Sequence, residues 1–179
     1  MLLPILIFLL FLTLPLLLTH LSGAIWSPTP PSVARRMLEL ARVKPGEIVY
    51  DLGCGDGRMA ILAAKEFGAR AIGIEINPIL LLLARIKGRG IPNLELRWGN
   101  VFKADLSDAD VVVTYFSPQG NRRLTQKLLQ LERDVRVVSY RWKLGLRLEK
   151  KEGMIFLYKT APPSEPSSLL RTSGSSVRE

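Results

Sequence analysis

The sequence predicts an α/β protein: a doubly wound sheet of seven strands, the last two an antiparallel hairpin, preceded by one N-terminal transmembrane helix. Three observations carry this. Tyr50-Asp51-Leu52-Gly53-Cys54-Gly55-Asp56-Gly57-Arg58, followed by Gly73-Ile74-Glu75-Ile76-Asn77-Pro78, reads as a strand, a glycine turn, a helix and a second strand ending in an acid. Apolar strand-length runs then alternate with helical patterns, the order that builds a parallel sheet. Met1 to Leu18 is an unbroken apolar run, softened only by Thr13, Pro4 and Pro15. As a helix it would be roughly 27 Å long at about 1.5 Å per residue, close to a bilayer core of about 30 Å.

Trp26-Ser27-Pro28-Thr29-Pro30-Pro31 cannot be a regular helix, because clustered prolines lack donors and restrict their neighbours, and it reads as a stiff linker. A helix is expected from Ser32 as its cap, with Val33, Met37, Leu40 and Ala41 at helical spacing, until Lys44-Pro45-Gly46 stops it. Strand one covers Ile48 to Leu52, and a helix from Arg58 to Phe67 crosses back to strand two, Ala71 to Glu75. Pro78 opens a helix to about Lys87, whose Leu80-Leu81-Leu82-Leu83 run is expected to be buried against the sheet. Strand three is Leu94 to Arg97. Strand four is Asp110 to Thr114, with the Val111-Val112-Val113 run of a strand buried on both faces. A basic-faced helix over Asn121 to Leu131 and strand five, Val135 to Tyr140, follow. Leu144 to Leu148 and Met154 to Tyr158 are expected to pair around Lys150-Lys151-Glu152-Gly153. From Thr160 onward, Pro-Pro-Ser-Glu-Pro-Ser-Ser and Ser-Gly-Ser-Ser cannot bury enough apolar surface to fold. The expected organisation is an anchor over 1–22, a catalytic domain over 23–159 and a disordered tail over 160–179.

Charge narrows what the glycine turn holds. A dinucleotide would place a pyrophosphate on the turn and helix start, where backbone donors favour anions, yet Asp51 and Asp56 stand there and would repel it. S-adenosyl-L-methionine carries no phosphate; its tail ammonium suits an Asp acceptor, its tail carboxylate suits backbone N–H groups, and its ribose hydroxyls suit Glu75. The spacing G-x-G-x-G also departs from G-x-G-x-x-G. A tight turn with Asp56 as a helix cap is the plainer alternative.

The chain of 179 residues has 25 Lys and Arg against 16 Asp and Glu, a formal charge of +9, all of it after the apolar run. An anionic lipid face, a nucleic acid, or no partner at all fits such a balance. Cys54 is the only cysteine and His20 the only histidine, so neither an internal disulfide nor a cysteine-built zinc site exists, and a histidine triad in the domain is excluded. Cys54 is expected to pack beneath the loop. No Lys or Arg precedes the apolar run, whereas Arg35, Arg36, Arg42 and Lys44 follow it, which predicts a single-pass membrane protein with its catalytic domain in the cytoplasm. A secretory signal cleaved near Ser22-Gly23-Ala24 is the alternative.

Between Ser27 and Tyr158 the chain resembles the class I, seven-stranded, Rossmann-like S-adenosylmethionine-dependent methyltransferases. Within that class, Pro28-Thr29-Pro30, Val33-Ala34-Arg35-Arg36-Met37-Leu38 and Val49 to Arg58 resemble small archaeal protein-lysine methyltransferases and the mitochondrial lysine methyltransferases of ATP synthase c-subunit and adenine nucleotide translocase. The resemblance implies that Asp51, with the backbone at Gly53 and Gly55, holds the methionine part, that Asp56 belongs to the same cofactor-binding turn, and that Glu75 holds the ribose. It also implies that Asn100 accepts from the adenine amino group and that Pro28 and Thr29 fold over the cofactor. It supplies no matched catalytic base. Tyr115 and Ser117, in Thr114-Tyr115-Phe116-Ser117-Pro118 at the end of strand four, are the catalytic candidates, with Phe116, Tyr140 and Trp142 as further walls of a lysine channel. No metal is expected.

The implied partner is a protein with an accessible lysine, a membrane protein among the options. Three rival functions stay open. An amino-methyltransferase of nucleic-acid bases would carry Asp/Asn/Ser-Pro-Pro-aromatic, of which Ser117-Pro118 matches only Ser-Pro. A phospholipid or quinone methyltransferase would suit the anchor, and a tethered module could bind the cofactor without transferring methyl groups.

Overall fold

The structure, a computed structural model, describes residues 28–160 together with 2–7, 10 and 13. Most of the expected anchor, Trp26 and Ser27, and residues 161–179 of the expected tail lie outside the described residues. Among the described residues, no helix is long and apolar enough to cross a membrane.

Within the described residues 28–160, four helices and seven strands follow one another: α1 (Pro31–Leu40), β1 (Ile48–Leu52), α2 (Arg58–Phe67), β2 (Arg70–Glu75), α3 (Pro78–Lys87), β3 (Leu94–Trp98), β4 (Val111–Thr114), α4 (Pro118–Leu128), β5 (Arg136–Tyr140), β6 (Arg147–Glu152) and β7 (Ile155–Lys159). The strands form one sheet in the order β3-β2-β1-β4-β5-β7-β6. The first five are parallel, and β7 enters antiparallel between β5 and β6. The doubly wound sheet with its terminal hairpin is as the sequence predicts.

Strand alternation builds a core on each face. Val49, Ala71, Val111, Val113 and Val138 pack with Met37 and Leu38 of α1 and Ala60 and Ala63 of α2. Tyr50, Leu52, Ile72, Val112 and Val137 pack on the other face with Leu124 and Leu128 of α4 and with Val101, Leu106 and Ala109 of the β3–β4 connection. Chain order reverses between β1 and β4, so their carboxyl ends, in register at Leu52 and Thr114, flank the crevice where ligands of this architecture bind.

Several boundaries differ from expectation. Helix α1 begins at Pro31, with Pro30 rather than Ser32 at the cap position, since a proline at the first helical position sacrifices no hydrogen bond. Helix α4 begins at Pro118 and ends at Leu128, because the Ser117 hydroxyl accepts from Gly120 N–H and caps it three residues early. The final hairpin turns at Gly153 (φ +56°) and Met154, later than expected. Its edge strand β6 is Arg-Leu-Glu-Lys-Lys-Glu and almost wholly exposed, so it carries no alternation to read. The leucine run of α3 is not buried as a unit: Leu81 is, whereas Leu82 and Leu83 are 58% and 43% exposed, because one helix face cannot turn four consecutive side chains inward. Thr160, assigned to the tail, is buried, donating to Arg133 C=O and accepting from Val135 N–H.

Candidate active site

A cavity of about 100 Å³, continuous with open solvent, lies at the carboxyl ends of β1, β2 and β4. Its floor is the glycine turn. Gly53, Gly55 and Gly57 all have positive φ, a conformation open to glycine at little cost. Gly53 and Cys54 donate their N–H groups to Ile74 C=O, clamping the turn onto β2. Cys54 packs beneath it: a Cβ added at Gly73 would meet the Cys54 Sγ at 2.9 Å. Burial pushes that thiol far up, so it stays protonated and inert.

The three acids of this turn have three separate fates. Glu75, at the end of β2, accepts from Gly55 N–H (2.9 Å) with one carboxylate oxygen and from Asn77 N–H (2.8 Å) with the other. Each oxygen keeps a further lone pair for a ligand hydroxyl. Asp51 is buried and accepts from Ala60 N–H at 3.2 Å. Desolvation, reinforced by Glu75 and Asp56, lifts its carboxyl to about 7.

Asp56 departs from expectation, for it does not present a free negative charge. It is gripped by one edge of the Arg58 guanidinium, through Nε and Nη2 (2.9 Å each), and by Lys87 Nζ (2.5 Å), which hold its carboxyl down at about 2. It is not a helix cap either, since α2 is capped by Gly57. The repulsion of phosphate therefore rests on Glu75, joined by Asp51 only as it ionises at about pH 7 and above.

Arg58 does more than neutralise Asp56. Its guanidinium also donates to Thr29 C=O at 3.1 Å, tying the proline segment to the turn so that Pro28 and Thr29 line the cavity. Nothing in the sequence pairs residues so far apart. Asn100 also lines the cavity, with Val101 and Phe102. Its side-chain oxygen accepts from Phe102 N–H at 3.0 Å, which orients that carbonyl.

The β4 end supplies the remaining wall. Thr114, Tyr115 and Phe116 line the cavity, and Tyr115 packs edge-on against Tyr140 with ring centroids 4.9 Å apart. Ser117, a catalytic candidate, is not among the lining residues; its hydroxyl caps α4. Tyr140 and Trp142 are also outside the lining, Tyr140 supporting Tyr115 from behind and Trp142 facing solvent. The residue that sequence reasoning missed is Thr114. It is 2% exposed, and among the described residues its hydroxyl has no hydrogen-bond partner, an arrangement that costs about 1–3 kcal/mol unless a ligand supplies one.

Comparison with known proteins accords with this geometry. The family model described as the ANTKMT methyltransferase domain matches residues 51–150, from the end of β1 into β6. The chain belongs to that family. A protein-lysine N-methyltransferase of Saccharolobus islandicus is 44% identical over 122 residues, 65% of this chain and 76% of that one. The adenine nucleotide translocase lysine N-methyltransferase of Mus musculus is 37% identical over 113 residues, 60% of this chain but only 48% of that one, so the chain spans about half of this relative's length. A crystal structure of an RNA methyltransferase from Salinibacter ruber, in complex with S-adenosyl-L-homocysteine, is 39% identical and superposes with a TM-score of 0.70. That match covers 80% of this chain and 99% of the other.

The protein is thus an S-adenosylmethionine-dependent methyltransferase, and the residues of the cavity fit that cofactor. Asp51 offers a carboxylate to an ammonium group, Glu75 two oxygens to hydroxyls, and the turn its backbone. When bound, the cofactor supplies an activated methyl group on a sulfonium; the chain needs only to align it and exclude water. If Asp51 holds the cofactor's ammonium, its raised carboxyl would make this binding pH-dependent. Below pH 7 Asp51 is largely protonated, and an arriving ammonium favours the ionised form. Affinity for S-adenosylhomocysteine should rise as pH climbs from about 5 towards about 7 and then level off. Calorimetry near pH 6 in buffers of different ionisation enthalpy should register proton release, and the Asp51→Asn variant should lose that release.

Proposed function

We propose that this methyltransferase transfers methyl to the ε-amine of a lysine in a protein at or beside a membrane, anchored by its N-terminal apolar run with the domain in the cytoplasm. The observation that carries the reading is the aromatic side of the cavity, where Phe102, Tyr115 and Phe116 line it beside Thr114 at the β4 end. A lysine amine, from a reference value of about 10.4, costs roughly 4.6 kcal/mol to deprotonate at pH 7. An apolar, aromatic wall lowers that cost by disfavouring the ammonium, and the Thr114 hydroxyl can accept from a neutral amine and turn its lone pair towards the methyl group. Two relatives whose names specify lysine support the reading.

Nucleic acid is the second reading, favoured by the net charge and by the Salinibacter ruber structure. Against it, Ser117, the residue that would have to meet a base amine, is occupied in capping α4.

Incubating detergent-solubilised protein with radiolabelled cofactor, membranes and total RNA should place label in protein, at lysine. Label confined to RNA or to lipid overturns the proposal. Thr114→Val, isosteric but without the hydroxyl, should lower turnover about tenfold, the worth of one good hydrogen bond at about 1.4 kcal/mol, while S-adenosylhomocysteine affinity changes little and Thr114→Ser restores activity.

A further inference from the structure

The α3 helix turns an apolar side to solvent. At about 100° per residue, Ile79, Leu82, Leu83 and Ile86 fall on one side, with Leu82 58% and Ile86 64% exposed. Trp98, 68% exposed, joins them: it shares a sheet face with Leu94 and Leu96, which lie against α3 at Gly88, and its indole N–H donates to Ile76 C=O just before the helix starts. Soluble surfaces seldom gather large apolar side chains this way without a partner.

We propose that this face docks on an anionic lipid bilayer. Charge selects the occupant. No Asp or Glu stands between Glu75 and Glu95, while Arg85 and Arg89 extend from the exposed part of that stretch, the pattern of a helix lying in a lipid interface with cations beside its apolar side. The described N-terminal residues do not bury it: Leu82 and Ile86 stay exposed beside them, and Leu2, Leu3, Leu6 and Leu10 are themselves at least 60% exposed. A bilayer can take up both surfaces at once. Leu80, on another side of the same helix, lines the methyltransferase cavity, so docking through α3 would hold the active site beside the membrane surface. The inference builds on the membrane placement above, but its test reads lipid contact rather than methyl transfer, so either can fail alone.

The test uses the full chain with Trp26 and Trp142 replaced by Phe, leaving Trp98 as the only indole, added to vesicles of phosphatidylglycerol and phosphatidylcholine carrying shallow brominated acyl chains. Trp98 emission should shift to shorter wavelength and be quenched. Leu82→Asp with Ile86→Asp should abolish the quenching although the N-terminal run is intact, and should leave methylation of a soluble lysine peptide unchanged. Arg85→Gln with Arg89→Gln should weaken quenching in these vesicles and reduce its salt sensitivity. Unquenched Trp98 in vesicles that have captured the protein overturns the proposal. So does a concentration-dependent dimer, seen by sedimentation, that the two Asp substitutions abolish while quenching persists.

Discussion

Replacing Glu75 with Ala is expected to weaken binding of S-adenosylhomocysteine at least about a hundredfold and to abolish methyl transfer. The carboxylate serves two purposes at once. Its oxygens hold Gly55 N–H at 2.9 Å and Asn77 N–H at 2.8 Å, fixing the turn to the start of α3, and their remaining lone pairs face the cavity where the cofactor's ribose is expected. Hydrogen bonds to a charged acceptor contribute about 1.5–3 kcal/mol each, so losing two ligand bonds costs about 3 kcal/mol or more, and tenfold in affinity is about 1.4 kcal/mol. Glu75→Gln retains one oxygen but presents its amide to one of two backbone donors, and should fall between wild type and Ala. Titration calorimetry decides the matter; Glu75→Ala binding within tenfold of wild type would remove Glu75 from the ribose site.

Gly57→Val should destabilise the fold by about 3 kcal/mol. At φ +81° a β-branched residue is strained by about 1–2 kcal/mol, and its Cβ would stand 2.9 Å from the Ala84 Cβ and 3.3 Å from the Ala84 Cα of α3, overpacking that adds about 1–3 kcal/mol. For a domain stable by about 5–15 kcal/mol this is a large fraction. Gly90 separates the two causes: its φ is +79° but nothing lies within 4 Å of an added Cβ, so Gly90→Ala meets only the backbone strain. Urea midpoints for Gly57→Ala and Gly90→Ala should differ by the contact with Ala84, and equal midpoints would show that α3 yields freely.

The burial of Asp51 also bears on stability. A carboxyl that keeps its proton to about pH 7 when folded, and only to its ordinary value when unfolded, favours folding in acid. That advantage drains away as pH rises from about 4 to about 7, at about 1.4 kcal/mol per unit. Asp56 acts oppositely: its ion pairs stabilise the fold above the ordinary carboxylate range and lose their effect as pH falls towards 2.

What the sequence determined by itself is local. Glycines at 53, 55 and 57, an acid at the end of the next strand, and valine runs of strand length are consequences of backbone sterics and of burial on both sheet faces, and such signals survive in one dimension. They sufficed for the α/β order, the turn, the placing of Asp51 and Glu75 at strand ends that line the cavity, and the class of cofactor. Tertiary structure decided what depends on residues distant in the chain. Only the folded chain brings Arg58 and Lys87 onto Asp56, turning an apparent acid into a neutralised strut, and only there does Arg58 reach the Thr29 carbonyl. The orphaned Thr114 hydroxyl, the diversion of Ser117 to helix capping and the outward turn of Leu82 were likewise set by packing, because which face of an element meets a neighbour, and which polar atom is left unpaired, follow from the whole arrangement of the sheet and its helices.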